Sequence, residues 1–334
     1  MKKLSIGIVG LPNVGKSTLF KALTQVEVNI ANYPFCTIDP NIGVVSVPDP
    51  RLGQLAELSG STKTVPAVVE FCDIAGLVKG AASGEGLGNK FLSHIRDVSA
   101  IVMVLRCFSS TEITHVEDSV DPVRDMDIIN AELALKDLET VEKRLESAGG
   151  EARSGKKDAI AVIAVLEKIK ESLSRNESLV PFADEPEVKS LQLLMAKRQI
   201  YLLNGIEGDM SPALAERLAK SGAAYVIADL AGSAGDALPR LIREAYRTLS
   251  LISFFTTGKD ETRAWTISRG AKAPEAAGTI HTDFEKKFIR AETVATDKLL
   301  EAGGWTQAKS KGWVRLEGKE YVVLDGDVME IRHG

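Results

Sequence analysis

The 334-residue chain reads as an α/β protein: a parallel sheet wrapped by helices, an inserted helical hairpin, and a small α+β module at the C-terminal end. Three observations predict this. Residues 1–120 alternate short apolar runs with helical ones, the pattern of a parallel sheet with crossover helices. From about Asp125 the apolar period changes to steps of three and four, in two matching stretches around a polar tip. After about Leu251 short strands return, separated by turns.

The first element is a strand over Leu4 to Val9, and a helix begins by Thr18 to Thr24. Between them, Gly10-Leu11-Pro12-Asn13-Val14-Gly15-Lys16-Ser17-Thr18 matches G-x-x-x-x-G-K-S/T. Strand, glycine loop and helix together turn that pattern into a phosphate site. Gly10 and Gly15 let the backbone wrap so that the N–H groups from Asn13 to Thr18 point at a polyphosphate, and the helix adds its positive end. Lys16 then reaches the β- and γ-phosphates, and Ser17 offers a hydroxyl to Mg²⁺. The alternative, a glycine-rich turn before an ordinary helix, accounts poorly for the flanking strand.

Next comes Asn32-Tyr33-Pro34-Phe35-Cys36-Thr37-Ile38-Asp39-Pro40-Asn41. Thr37 is the candidate second hydroxyl for Mg²⁺; its alternative role is to open a strand. Val68 to Cys72 is an apolar strand that ends in Asp73, followed by Ile74-Ala75-Gly76. An acid there supports Mg²⁺, and Gly76 leaves its N–H free to face a γ-phosphate. Gly76, Gly80, Gly84, Gly86 and Gly88 raise the entropic cost of ordering that loop, so an order–disorder switch is the expected mechanism.

Ile101 to Leu105 forms the next strand, with His115 in the loop beyond it. Ile128, Ala131, Leu135, Leu138, Val141 and Leu145 make one helical stripe; Ala159, Val162, Leu166, Ile169 and Leu173 make a second. These read as an antiparallel hairpin with arms of about 30 Å, either projecting toward a partner or folded flat on the core. Lys197 to Leu203 returns as a strand and Leu241 to Ser250 as a helix. In the last region, Ala264 to Ile267, Gly278 to His281 and Tyr321 to Leu324 read as strands, and Phe284 to Ile289 as a helix. Lys286, Lys287 and Arg290 form a modest basic cluster there, more simply a solvated face.

Composition bounds the function. A 44% apolar and 26% charged chain without a long apolar run predicts a soluble protein that does not enter a membrane. Met1-Lys2-Lys3 leads straight into the first strand, so the expectation is a cytoplasmic protein without a signal peptide. Cys36, Cys72 and Cys107 lack metal-ligand spacing and read as reduced thiols. A net charge of −5 argues against wholesale coating of nucleic acid, and no sequence-specific DNA binding is expected.

Gly10 to Thr18, Asn32 to Asn41, Asp73 to Asn89, Phe91 to Arg96, Ser253 to Gly258, Arg263 to Ile267 and Ile280 to Glu285 together resemble the YchF family, the Obg-like ATPases. The resemblance covers nearly the whole chain. It implies a P-loop G domain (1–124 and 199–250) interrupted by a coiled-coil insertion (125–198), then a ubiquitin-like TGS domain (251–334). It also implies ATP hydrolysis and ribosome binding. Asn204-Gly205-Ile206-Glu207 stands where guanine-specific relatives carry N-K-x-D. Without the lysine and with a longer acid, the guanine clamp is lost; N-x-x-E is the form the family uses with ATP, so Asn204, Ile206 and Glu207 are the candidate base contacts. Gly205 departs from the family, which usually has an apolar residue there, and the stretch from Asp209 to Leu241 is shorter than usual.

Leu77 replaces the glutamine that orients the attacking water in guanine switches, so turnover is expected to be slow. His115 is the candidate to orient water; a surface histidine without a role is the alternative. Asn13 either offers an oxygen to a phosphate-bridging K⁺ or merely shapes the loop. The reading is therefore a Mg²⁺-dependent ATP hydrolase with Lys16, Gly76 and His115 as catalytic candidates. A GTP-driven switch, a nucleotide-gated module without turnover and, more remotely, a thiol sensor using Cys36 or Cys72 are its rivals.

Overall fold

Strand β1 (Ser5–Val9) is buried along its whole length, and so is β5 (Ala100–Arg106) beside it. Uninterrupted apolar strands are what a parallel sheet covered on both faces demands. A computed structural model provides the coordinates and describes residues 5–25, 41–74, 87–110, 115–117, 119–232 and 235–334. Helix α1 (Lys16–Thr24) follows the glycine loop. Then come β2 (Ile42–Ser46), α2 (Pro50–Ser59), β3 (Thr64–Val65), β4 (Val68–Asp73) and α3 (Leu87–Asp97). After β5 lie α4 (Pro122–Arg153), α5 (Ala159–Ser174), α6 (Pro186–Leu191), β6 (Arg198–Asn204), α7 (Pro212–Ser221) and β7 (Tyr225–Ala228). The sheet order is β2-β4-β1-β5-β6-β7. The pairs β1–β4, β1–β5, β5–β6 and β6–β7 are parallel.

Helix α4 starts at Pro122, three residues before the sequence change of period, because Asp121 caps it. Its carboxylate accepts from the N–H groups of Val123 and Arg124, and proline occupies the first turn. At 32 residues it is about 48 Å long. Its proximal half packs on β5, α7 and the 3₁₀ turn Leu194–Ala196, and α5 pairs with it beyond. Neither the projecting nor the flat hairpin describes it alone. The expected stripe is partly corrected: Leu135 is 51% exposed, and the buried line runs through Met126, Ile129, Leu133, Asp137 and Val141. Asp137 interrupts an apolar line because its carboxylate accepts from the backbone N–H groups of Leu194 and Met195, at 2.9 and 2.8 Å. The α5 stripe holds, with Ala159, Leu166, Ile169 and Leu173 buried.

After α8 (Ala237–Thr248), β8 (Leu251–Thr257) and β9 (Thr262–Ser268) form a hairpin, followed by α9 (Ala273–Ile280) and α10 (Thr282–Lys286). Strand β10 (Phe288–Ala295), α11 (Thr296–Ala302), α12 (Trp305–Ser310), β11 (Arg315–Glu317) and β12 (Asp327–His333) complete the chain. This second sheet has the order β11-β10-β12-β8-β9-β3, with β8 and β12 parallel at its centre. Phe254, Ile267, Ala277, Phe288 and Met329 anchor its core.

Three sequence expectations fail in this region. Gly278 to Ile280 belong to helix α9, which starts at an alanine-rich segment where Glu275 accepts from the Lys272 N–H. Tyr321 to Leu324 contribute only an isolated bridge at Val322, because Asp327 draws in both the Tyr321 hydroxyl and the Leu324 N–H. The helix expected to reach Ile289 ends at Lys286, and Phe288 already belongs to β10.

Packing groups the described residues into two compact units, one of 5–25, 41–43 and 70–241, the other of 44–69 and 242–334. Residues 44–69 therefore group with the C-terminal module. There β3 pairs with β9, and Arg51 bonds both Asp49 and Asp325. No helix among the described residues is long and apolar enough to cross a membrane.

Candidate nucleotide site

The site forms at the carboxyl end of β1, where neighbouring strands leave in opposite directions along the sheet and crevices for ligands arise. Gly10 ends that strand. A Cβ there would stand 2.7 Å from the Val104 carbonyl oxygen, and a backbone atom cannot move aside. Asn13 adopts a left-handed φ of 61°, and Gly15 one of 107° as the residue before α1. The loop thus turns twice before the helix, as a wrapped cradle of N–H groups requires.

Lys16 opens the helix, is only 8% exposed, and curls back so that Nζ donates to the Leu11 carbonyl at 2.7 Å. Burial lowers its pKa to about 8, and the Asp73 carboxylate works in the opposite direction. Register pairing of Ile8 with Asp73 sets this acid beside the end of β1. Burial raises the Asp73 pKa while Lys16 lowers it, yet among the described residues no direct ion pair joins the two. Ser17 and Thr18 lie exposed on the first turn of α1. Hydroxyl and carboxylate oxygens are the hard donors that Mg²⁺ selects, and it keeps waters and phosphate oxygens for the rest of its shell. The residues present therefore fit the ion, although no cluster of three acidic, histidine or cysteine side chains occurs among the described residues. Thr37, Gly76, Leu77 and Cys36 lie outside the described residues.

At the far wall, Asn204 ends β6 and is 4% exposed. Its Nδ2 donates to the Val14 carbonyl at 2.9 Å, and its Oδ1 accepts from the Leu230 N–H at 3.2 Å. One amide thus clamps the glycine loop to the segment after β7. Ile206, 61% exposed, and Glu207, also exposed, stand at the start of a 3₁₀ turn. Asp209 holds that turn by accepting from the Ile206 N–H at 2.9 Å. Gly205 makes this possible: a Cβ there would lie 2.6 Å from the Asp209 carboxylate. Asp209 and Leu230 escaped sequence reasoning. An aspartate three residues beyond an exposed N–H was the available signal for the first, and the second had none.

His115 does not lie on the surface. It is 5% exposed, its Nδ1 accepts from the Glu117 N–H at 3.1 Å, and its Nε2 sits 2.8 Å from Asp125 Oδ2. The Nδ1 contact places the proton on Nε2, which donates to Asp125. Both ring nitrogens are engaged, so the residue braces the first turn of α4. Burial raises the Asp125 pKa, with Arg124 and His115 opposing it. Burial also pushes the Cys107 thiol up to about 12, which leaves it a poor nucleophile.

A wrapped glycine loop with a buried lysine, at the end of a parallel strand and beside a strand-end aspartate, defines a P-loop nucleotidase. A family model described as a 50S ribosome-binding GTPase matches residues 5–143. A second, YchF-GTPase_C, described as a protein of unknown function (DUF933), matches residues 251–334. The Ribosome-binding ATPase YchF of Bacillus subtilis (strain 168) is 49% identical, covering 98% of this chain and 99% of its own length. That alignment runs over 361 residues, so the relative has residues without a counterpart here. Obg-like ATPase 1 of Oryza sativa subsp. japonica is 42% identical, covering 98% of this chain and 91% of its own. The solved structure of the Schizosaccharomyces pombe YchF GTPase superposes with a TM-score of 0.86 at 38% identity, covering 99% of this chain and 98% of that one. The chain belongs to the YchF family.

Proposed function

We propose that this protein is a Mg²⁺-dependent ATPase that uses its nucleotide state to control binding to the ribosome in the cytoplasm. The buried Lys16 carries the reading. A cation held at a lowered pKa, with one carbonyl as its hydrogen-bond partner, gains most from a polyanion. In this reading the N–H groups from Asn13 to Thr18 bind the phosphates, and Lys16 offsets charge that develops on the β- and γ-oxygens. Ser17, Thr37 and Asp73 hold Mg²⁺, which shields the phosphate oxygens from one another. The Gly76 N–H senses the γ-phosphate. Leu77 can neither donate nor accept, so turnover is slow until a partner orients the water.

His115 enters such a mechanism only by releasing Asp125, which makes a structural role the simpler one. The positive φ of Asn13 fits its loop-shaping role. A K⁺ site at its amide would show as turnover that rises when K⁺ replaces Na⁺.

The names of the relatives divide between ATPase and GTPase. Adenine is favoured here because residues 204–207 lack the lysine and the correctly placed acid of a guanine clamp. Asn204 gives one of its two N–H donors to Val14 and one oxygen lone pair to Leu230, so Ile206 and Glu207 stand beside its second N–H as the groups proposed at the base. Titration with ATP and with GTP tests this: tighter ATP is expected, and tighter GTP would overturn it. Phosphate release with and without ribosomes tests the rest; no basal rate and no acceleration would leave only a nucleotide-gated binding module.

A further inference from the structure

Helix α5 of the hairpin carries more apolar surface than its neighbours cover. It opens with an unbroken apolar run, Ala159-Ile160-Ala161-Val162-Ile163-Ala164-Val165-Leu166. A helix that is apolar on every side is ordinarily buried on every side. Here α5 packs chiefly on α4, and the buried line is Ala159, Leu166, Ile169 and Leu173. The opposite line faces outward. Ile160 is 71% exposed, more than any other large apolar side chain among the described residues, and Ala161 and Ala164 are exposed beside it. Ile160, Ala164, Glu167 and Glu171 recur at helical spacing, so this outward stripe is apolar near the hairpin tip and acidic further along. The turn before α5 adds Lys157, exposed and without an ion pair among the described residues. Glu167 forms none there either, although it lies in the field of Lys170, whose own ion pair is with Glu142 at 3.0 Å. Lys168 lies about 100° further round the helix, off the stripe.

We propose that this stripe pairs with the same stripe on a second copy of the chain, α5 against α5 and antiparallel, so that two hairpins close into a four-helix bundle. Charge complementarity selects both the occupant and the register. A two-fold axis level with Val162 sets Lys157 of each copy against Glu167 of the other, and Ile160 against Ala164. Every such contact occurs twice, because the interface is isologous. Alanine at the contact lets the two helix axes approach closely, and Ile160 fills the space over the facing Ala164. From Lys157 to Glu167 the stripe follows the helix for about 15 Å. The pair therefore buries less than about 1,200 Å² in total, which places it among weak, reversible interfaces. None of these residues belongs to the nucleotide site, so the pairing does not depend on the proposed ATPase reading.

Sedimentation velocity of the full chain, between about 1 and about 200 µM, tests it in the range where interfaces of this size associate. The parent should pass reversibly from monomer to dimer. Ile160→Lys should stay monomeric throughout with an unchanged thermal midpoint, since that side chain lies mostly in solvent. Lys157→Glu and Glu167→Lys should each weaken the dimer about tenfold, because each puts two like-charge pairs where two ion pairs stood. Combining Lys157→Glu with Glu167→Lys should restore the parental affinity, which unspecific apolar association would not do. Ile289→Lys on β10 changes another exposed isoleucine and should associate as the parent does. A parent that remains monomeric at the highest concentration would overturn the proposal; if Ile160→Lys then also lost ribosome pelleting, the stripe would belong to a ribosomal protein instead. A dimer that survives Ile160→Lys, or a double charge reversal no stronger than the single ones, would overturn it as well.

Discussion

The side-chain amide of Asn204 donates to the carbonyl oxygen of Val14 at 2.9 Å, across 190 residues of sequence. It ties the end of β6 to the loop that wraps phosphate, and its oxygen reaches Leu230 on the next segment. A residue proposed to stand at the base therefore holds the glycine loop in shape.

Asn204→Ala removes both bonds and strands two buried backbone groups, each costing about 1–3 kcal/mol. The expected result is a clear fall in midpoint of thermal unfolding, with ATP binding weakened about tenfold or more, as measured by calorimetry. Unchanged stability would contradict the clamp.

Lys16→Met should stabilise the nucleotide-free protein while abolishing nucleotide binding, because it removes a buried charge that only a phosphate repays. The pH dependence follows from the pKa of about 8 against an ordinary 10.5. Below pH 8 the lysine is charged in both folded and unfolded states, and the burial penalty is full. Between about 8 and 10.5 the unfolded chain holds the proton that the native one has lost, so stability rises with pH, by up to about 3 kcal/mol. Denaturant midpoints across that window should show the rise in the parent and not in Lys16→Met. Nucleotide affinity should fall over the same window, since binding requires the ammonium form.

Asp137 predicts an opposite slope on the acid side. Burial among apolar neighbours pushes its carboxyl up to about 6, although the Leu194 and Met195 N–H groups oppose the shift. Between about pH 4 and 6 the native state holds the proton that the unfolded chain releases, so this group's contribution to stability falls as pH rises, by up to about 3 kcal/mol. Asp137→Asn abolishes the slope but leaves the Met195 N–H facing a donor, so it is less stable throughout. Equal slopes in parent and variant would refute the assignment.

Gly205→Leu would drive a Cβ to 2.6 Å from the Asp209 carboxylate and release the Ile206 N–H. That carboxylate can swing away, but the φ of 158° and the Cys107 Cβ at 3.2 Å cannot, so a clear loss of stability should accompany the change. The ratio of ATP to GTP affinity should shift, and an unchanged ratio would show that Asp209 does not shape the base wall.

The phosphate loop was legible because its chemistry forces glycines at fixed spacing, and β1, β4, β5 and β6 because buried parallel strands read as apolar runs. The C-terminal module was less so. Its helix α9 is made by an alanine-rich start and a Glu275 cap, which override the extended look of Gly278 to His281. Leu135 misled because α4 is covered on more than one side, by β5 and α7 and by α5, so that no single stripe marks its buried face. The partnership of His115 with Asp125 was hidden because no motif joins two residues ten positions apart, and only the fold buries them together.

The proposed function requires that Lys16 and the loop around it grip a nucleoside triphosphate. Calorimetric titration of Mg·ATP into the parent protein and into Lys16→Ala tests it most directly. The parent should bind, and the variant should lose at least about tenfold in affinity, as removal of a charge-assisted bond requires. Equal affinity in the two proteins would contradict it.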